Sequence, residues 1–241
     1  MIELDHVSKH YGRIAAVNDL SLRVEKGEIF GFIGPNGAGK TTTIRMIGGI
    51  LKPSAGRIRI NGVDMQQNPT AAKRSIGFIP DRPYLYEKLS GSEFLRFIAD
   101  LYQVDRRRAD ARAQELLAMF TLTDWAHELI ESYSHGMKQR LVMAAALLHD
   151  PAIVVVDEPM VGLDPLGIKL VKGLFRKLAA GGVTMFVSTH TLPVAEDICH
   201  RIGIINRGRL IATGSPADLK QELKVVDADL EQIFLRLTRD A

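Results

Sequence analysis

Ile29-Phe30-Gly31-Phe32-Ile33-Gly34-Pro35-Asn36-Gly37-Ala38-Gly39-Lys40-Thr41-Thr42 is the stretch that decides the fold. Ile29 to Ile33 is a short apolar run entered from the turn Glu25-Lys26-Gly27-Glu28, and it reads as a strand. Gly34 to Thr41 then fits G-x-x-x-x-G-K-[ST] at every fixed position. Thr42 to Ile50 follows with Ile44, Ile47 and Ile50 apolar, which predicts a helix. In a strand–loop–helix setting the glycines let the backbone wrap an anion, and the free N–H groups and the helix dipole face it. Lys40 supplies a point charge to the β- and γ-phosphates, and the Thr41 hydroxyl is placed to ligate Mg²⁺. The loop points to a nucleoside triphosphate held by Gly34, Pro35, Asn36, Gly37, Ala38, Gly39, Lys40, Thr41 and Thr42.

Far downstream, Val154-Val155-Val156-Asp157-Glu158 is an apolar strand ending in two acids. Asp157, at the strand end, can hold Mg²⁺ directly or through a water. Glu158 projects differently and suits a general base that polarises an attacking water, a role worth about 10²–10⁴ in rate. Alone, the pair reads equally well as a strand capped by solvated acids; the upstream loop decides for chemistry.

Outward from these two motifs the chain alternates. Ile153–Val156, Val183–Val187 and Ile202–Ile205 read as strands, with helices over Pro165–Leu178 and Leu192–Cys199 between them. This predicts an α/β fold with a mostly parallel sheet flanked by helices. Towards the N-terminus, Val17, Leu20, Leu22 and Val24 partly alternate as in a half-buried strand, and Asn61-Gly62 is a hairpin turn. The middle is helical: Phe94, Phe97, Ile98 and Leu101 recur at helical spacing, and Ala109 to Phe120 puts Leu116, Leu117 and Phe120 on one side. Between them Asp105-Arg106-Arg107-Arg108 reads as a solvated helix end. At the C-terminal end Val226, Leu230, Ile233, Phe234 and Leu237 form one helical face, read as core packing.

Composition narrows the function classes. The 241 residues suffice for one to two domains with a sizeable core. The net charge of +3, from 31 basic and 28 acidic residues, is too balanced to argue for nucleic acid as a partner. The single cysteine, Cys199, excludes an intramolecular disulfide and suits a reducing compartment. Met1-Ile2-Glu3-Leu4-Asp5 carries acids where a signal peptide would be basic and then apolar. The longest apolar stretch, Leu141 to Leu148, is far short of the roughly 18 residues of a membrane span. Apart from His190, the histidines form no ligand set, so no protein-only metal site is expected.

Taken together the motifs resemble the ATP-binding cassette (ABC) ATPases, and the resemblance runs from the first strand to about Gly208. It implies a P-loop NTPase core with an N-terminal antiparallel β subdomain and an inserted helical subdomain. Residues 1–214 would be the ATPase domain, with the helical insertion at about 88–150, and 215–241 a helical tail. Tyr11 looks like the aromatic that stacks on adenine. Tyr133-Ser134-His135-Gly136-Met137 stands where the family signature Leu-Ser-Gly-Gly-Gln is usual. Ser134 reads as a helix N-cap, and the resemblance implies that Ser134 and Gly136 hold the γ-phosphate on the opposite subunit. His135 and Met137 depart from that form, and the contact of the usual glutamine side chain goes with them.

Val161-Gly162-Leu163-Asp164 resembles the loop that crosses the dimer interface, with Asp164 as its carboxylate, and Ser188-Thr189-His190 resembles the switch-histidine segment. Asp81 stands where the family usually has glutamine; ionised, it accepts hydrogen bonds but donates none, and it is carried as a catalytic and metal-side residue. Tyr84 and Tyr86 follow it in a region that faces the membrane partner in the family. The resemblance therefore implies an ATP- and Mg²⁺-dependent ATPase of the exporter type. It would pair with a second ABC ATPase subunit, identical or not, and with a separate integral membrane permease on the cytoplasmic face of the cell membrane. Two other readings are a soluble ABC ATPase of DNA repair or translation and a regulatory nucleotide-binding module without turnover. Only one phosphate loop is present, and the span from Lys40 to Asp157 leaves no room for a long coiled coil. Glu158 and His190 argue for turnover.

Overall fold

The computed structural model describes residues 1–222 and 230–239. In chain order the strands are β1 (Ile2–Tyr11), β2 (Ile14–Val24), β3 (Ile29–Ile33), β4 (Ala55–Ile60), β5 (Val63–Asp64), β6 (Ile76–Ile79), β7 (Ile153–Asp157), β8 (Thr184–Ser188), β9 (Arg201–Asn206) and β10 (Arg209–Gly214). The helices are α1 (Lys40–Ile47), α2 (Pro69–Arg74), α3 (Gly91–Leu101), α4 (Arg106–Met119), α5 (His135–Leu147), α6 (Pro165–Ala180), α7 (Leu192–Ile198), α8 (Pro216–Glu222) and α9 (Leu230–Arg239).

Two sheets result. One is antiparallel, in the order β2-β1-β4-β5, and its last turn is the expected Asn61-Gly62 hairpin, with φ of 49° and 80°. The other runs β10-β9-β3-β8-β7-β6 and is parallel except where β10 returns beside β9. Its central strands β3, β7 and β8 are buried at every position and mostly apolar, because both faces are covered. Phe30, Phe32, Ile153, Val155 and Phe186 face a core shared with the antiparallel sheet and α1. Ile29, Ile33, Val154, Val156, Met185 and Val187 face the helices on the other side. Cys199 is buried in that second core, and burial pushes its thiol up to about 12.

Between β6 and β7 the chain forms α3, α4 and α5, which pack on one another. Ser90 and Glu93 close a capping box at the start of α3, the Ser90 N–H donating to Glu93 Oε2 at 2.8 Å. Asp105 accepts from the N–H groups of Arg107 and Arg108 at 3.1 and 3.2 Å, so the basic run is the solvated helix end expected of it.

Two local expectations are corrected. Helix α1 stops at Ile47, before Gly48 and Gly49, the latter at φ 66°, which leaves Ile50 61% exposed instead of on the buried face. On α3 the buried residues are Gly91, Phe94, Leu95 and Ala99, while Phe97 and Leu101 stay exposed: the helix is rotated towards α4 and α5 relative to its apolar spacing. At the C-terminal end Leu230 and Ile233 are buried and Phe234 and Leu237 pack against the core, as read; Val226 lies outside the described residues.

Candidate nucleotide site

The parallel pairing places the site. β3, β6, β7 and β8 all point the same way, so the segments that leave their C-terminal ends emerge at one edge of the sheet. From β3 comes the loop of residues 34–39, from β6 Asp81, from β7 Asp157 and Glu158, and from β8 Thr189 and His190. Register brings Asp157 opposite Ser188 and Ile79 opposite Val156, which sets the Asp81 and Asp157 segments side by side. They enclose a cavity of about 350 Å³ lined by Asn36, Gly37, Gly39, Lys40, Thr41, Thr42, Asp81, Asp157, Glu158 and His190, with Ala16 as one wall.

The loop is shaped by glycines where other residues would not fit. Gly39 sits at φ 110° as the cap of α1 with no side chain bonded to the helix amides, which leaves that N-terminus to an anion. A β-carbon on Gly34 would collide with Ile205 O, so the loop can leave β3 this close to β9 only as glycine. The Lys40 ammonium donates to Gly34 O at 2.6 Å and Pro35 O at 3.2 Å, which curls it over the loop. Burial lowers its pKa, and the charges of Glu158 and Asp157 pull it back up.

The acidic side is arranged around two carboxylates with different surroundings. Asp157 is 4% exposed. Burial raises its pKa, hydrogen bonding by Ser188 and Thr41 opposes the rise, and the charges of Asp81 and Glu158 add to it. Glu158 takes φ 51°, a left-handed turn uncommon for a side chain of its size, immediately after the strand ends. That turn swings its carboxylate to β8, where Oε1 is 2.8 Å from His190 Nδ1 and Oε2 accepts from the His190 N–H and the Thr189 hydroxyl, both at 3.3 Å. A carboxylate so fixed from one side keeps its remaining lone pairs for a water in the cavity.

The structure therefore brings together Asn36, Gly37, Gly39, Lys40, Thr41, Thr42, Asp81, Asp157, Glu158 and His190; Gly34 and Pro35 meet Lys40 through their carbonyls, and Ala38 is buried in the loop. It does not bring Tyr11, Ser134, Gly136 or Asp164 into that cavity. Tyr11 is half exposed at the end of β1, with Lys9 Nζ 5.5 Å above its ring. Ser134 caps α5, accepting from the Met137 N–H at 3.3 Å. Asp164 caps α6, accepting from the Gly167 N–H at 2.9 Å. Two contributors carry no sequence signal. Ala16 closes one wall, and Gly208 donates its N–H to Ala38 O at 2.9 Å, bracing the loop through backbone atoms alone.

Mg²⁺ fits the donor set on one observation: the buried Asp157 carboxylate is crowded by two further negative charges and has the Thr41 hydroxyl beside it. Such a cluster is unfavourable by itself and is relieved by a cation.

Comparison with known proteins agrees with this geometry. Residues 17–161 match the ABC transporter family. The daunorubicin resistance ATP-binding protein DrrA3 of Streptomyces coeruleorubidus is 40% identical over 221 residues, which is 92% of this chain and 70% of that protein. A solved ATP-binding subunit of an ABC transporter superposes with a TM-score of 0.93 at 33% identity, over 98% of this chain and 99% of that one. The bacterial ABC transporter cassette MJ0796, solved as a dimer, superposes with a TM-score of 0.82 at 29% identity, over 89% of this chain and 98% of that one.

Proposed function

Since the chain belongs to the ABC transporter family, as an ATP-binding and ATP-hydrolysing subunit, we propose that two copies, or this chain and a similar one, close head to tail around two ATP molecules. Lys40 and the loop of one subunit hold a triphosphate whose far end meets Ser134 and Gly136 of the other, with Asp164 in the loop crossing between them. The observation that carries this reading is the split of the site. The cavity holds cradle, acids and histidine, while the Ser134-headed helix of the same chain stands outside it. The dimeric MJ0796 cassette supports the arrangement.

Hydrolysis follows from the residues present. Lys40 and the loop amides neutralise the β- and γ-phosphates. Glu158 accepts a proton from a water as the water oxygen bonds to the γ-phosphorus and the bond to the bridging oxygen breaks, giving ADP and phosphate. His190 holds Glu158 in place and stands at the cavity wall, where it can donate to the γ-phosphate. Thr41 and Asp157, with Asp81 beside them, would hold Mg²⁺, which supplies charge neutralisation on the phosphate oxygens. Tyr11 stacks on the base.

The subunit would drive a separate integral membrane permease of the exporter type from the cytoplasmic face of the membrane. Among the described residues no helix is long and apolar enough to cross a membrane. The drug-resistance relative supports export. An exposed apolar patch suits a membrane partner: Tyr84 is 75% exposed, and Tyr86 lies edge-on to the exposed Phe97 at 5.3 Å between centroids. We assign residues 1–214 to the ATPase domain, with the helical insertion at about 88–150, and 215–241 to the tail. The test is a sizing column run with Glu158→Gln and ATP: dimers are expected with ATP and monomers without it. Monomers under both conditions, with ATP bound, would refute the sandwich.

A further inference from the structure

Tyr11 is half exposed at the end of β1, yet only one face of its ring is open. The Lys9 ammonium lies over the other face, 5.5 Å from the ring centroid. A cation at that distance is attracted by the negative charge of the π face. Lys9 is itself held, because its ammonium donates to Lys52 O at 2.8 Å. Lys52 belongs to the segment that leaves α1, and two more bonds seat the end of β1 on that segment. The Ser54 N–H donates to Ser8 O at 2.7 Å, and the His10 N–H donates to Ser54 Oγ at 3.1 Å. The segment is closed back on its helix by the N–H groups of Ile50 and Leu51, which donate to Arg45 O at 2.9 and 3.0 Å. Helix α1 begins at Lys40, in the phosphate loop. The Tyr11 ring and the phosphate cradle are therefore joined through one braced path, from Lys9 to Lys52 and back along α1 to Lys40.

Resting on the reading that Tyr11 stacks on the base, we infer that Lys9 is a positioning residue for the base of the nucleotide. Its ammonium covers one face of the ring and holds the ring against the exit of α1, so the opposite face is the one offered to the base. Released from that hold, an exposed ring at a strand end samples several orientations, and nucleotide binding has to immobilise it. A side chain fixed beforehand spares the complex that cost. Stacking uses the π face of the base, and Lys9 does not line the phosphate cavity. Lys9 thus adds affinity for the base end of the nucleotide and none for the phosphates.

The test is calorimetry on the full chain in the Glu158→Gln background, with ATP and inorganic triphosphate as the two probes. An ionic strength of about 0.15 M screens the Lys9 charge from the phosphates beyond about 8 Å. Lys9→Met keeps the stem and removes the charge and the donor. Its ATP affinity is expected to fall about 2–12-fold, the effect of one side chain left to be immobilised, with triphosphate affinity unchanged. Lys9→Arg can both donate to Lys52 O and lie on the ring, and is expected to bind ATP as wild type does. Tyr11→Ala is expected to lose about 5–160-fold for ATP and nothing for triphosphate. Adding Lys9→Met to Tyr11→Ala should cost nothing more, because the ring it positions is gone. Three results would each overturn the inference: unchanged ATP affinity in Lys9→Met, an equal loss for both probes, or the same loss with Tyr11 already removed. A merely structural brace would lower the melting temperature and leave the ratio of ATP to triphosphate affinity alone. If Tyr11→Ala itself bound ATP as tightly as wild type, the reading of Tyr11 would fail; a weakened Tyr11→Ala beside an unaffected Lys9→Met would fault the Lys9 assignment alone.

Discussion

The strand-end edge of the main sheet and the first turn of α5 face the same triphosphate in the proposed dimer, and they are built in opposite ways. At the strand ends each working group is pinned. Lys40 bonds two loop carbonyls, Glu158 is held by three groups of the β8 exit, and Asp157 is buried. At α5 the working group is an exposed serine whose hydroxyl has one described hydrogen bond, which caps its own helix. Chemistry that must not wander sits on the rigid element, and the part that must engage and release sits on a helix end. Substitutions at the two places should therefore fail differently: the first in turnover or binding by a single chain, the second only in assembly.

The largest effect tests the first half of that contrast. Glu158→Gln keeps the shape of the side chain and removes the base, so phosphate release should fall by about 10²–10⁴ while ATP still binds. Equal turnover in the variant would take Glu158 out of the proton transfer. Next comes Lys40→Ala. Charge-assisted hydrogen bonds contribute about 1.5–3 kcal/mol, so nucleotide affinity of the monomer should drop about 10–150-fold by calorimetry. An undiminished affinity would mean that the loop amides alone hold the phosphates.

Much of the pinned half is legible in the sequence. Loop, acids and histidine each follow an apolar strand, and a parallel sheet delivers such strand ends to one edge, so spacing along the chain becomes proximity in space. What is not legible acts without a distinctive side chain or without periodicity. β6 is four residues long and gives no alternation to read, yet it positions Asp81. Ala16 and Gly208 work through backbone and size. The α3 spacing marks Phe97 and Leu101 as apolar correctly and cannot say that the helix turns them outward, because tertiary packing against α4 and α5 fixes the rotation. The His135 ring over Gly162 joins the first turn of α5 to the loop before α6, and no spacing or periodicity pairs the two residues.

The pinned half also carries a stability cost that pH should expose. Burial raises the Asp157 pKa, and the neighbouring Asp81 and Glu158 charges add to the rise. The folded chain thus holds this proton more tightly than the unfolded chain. Stability of the nucleotide-free protein should fall as pH rises from the ordinary carboxylate range through the raised pKa, and the cost is fully present above it. Asp157→Asn removes the charge, so at neutral pH its urea midpoint should exceed that of wild type, the gap closing on acidification. A variant less stable than wild type at neutral pH would show that the Ser188 and Thr41 bonds outweigh the crowding.

The smallest effect on the folded chain belongs to the other half. Ser134→Ala removes a helix cap, worth about 1 kcal/mol, and should leave nucleotide affinity of the monomer unchanged while ATP-dependent dimers disappear. A frayed α5 and a missing phosphate contact would both abolish dimers, and Ser134→Asp separates the two. Aspartate caps a helix as well as serine does and favours its N-terminal dipole, so melting temperature should hold. The same carboxylate would meet the triphosphate of the partner with like charge, so dimerisation in the Glu158→Gln background should fail. A stable Ser134→Asp chain that still dimerised with ATP would place the serine away from the phosphates and leave α5 as an ordinary capped helix.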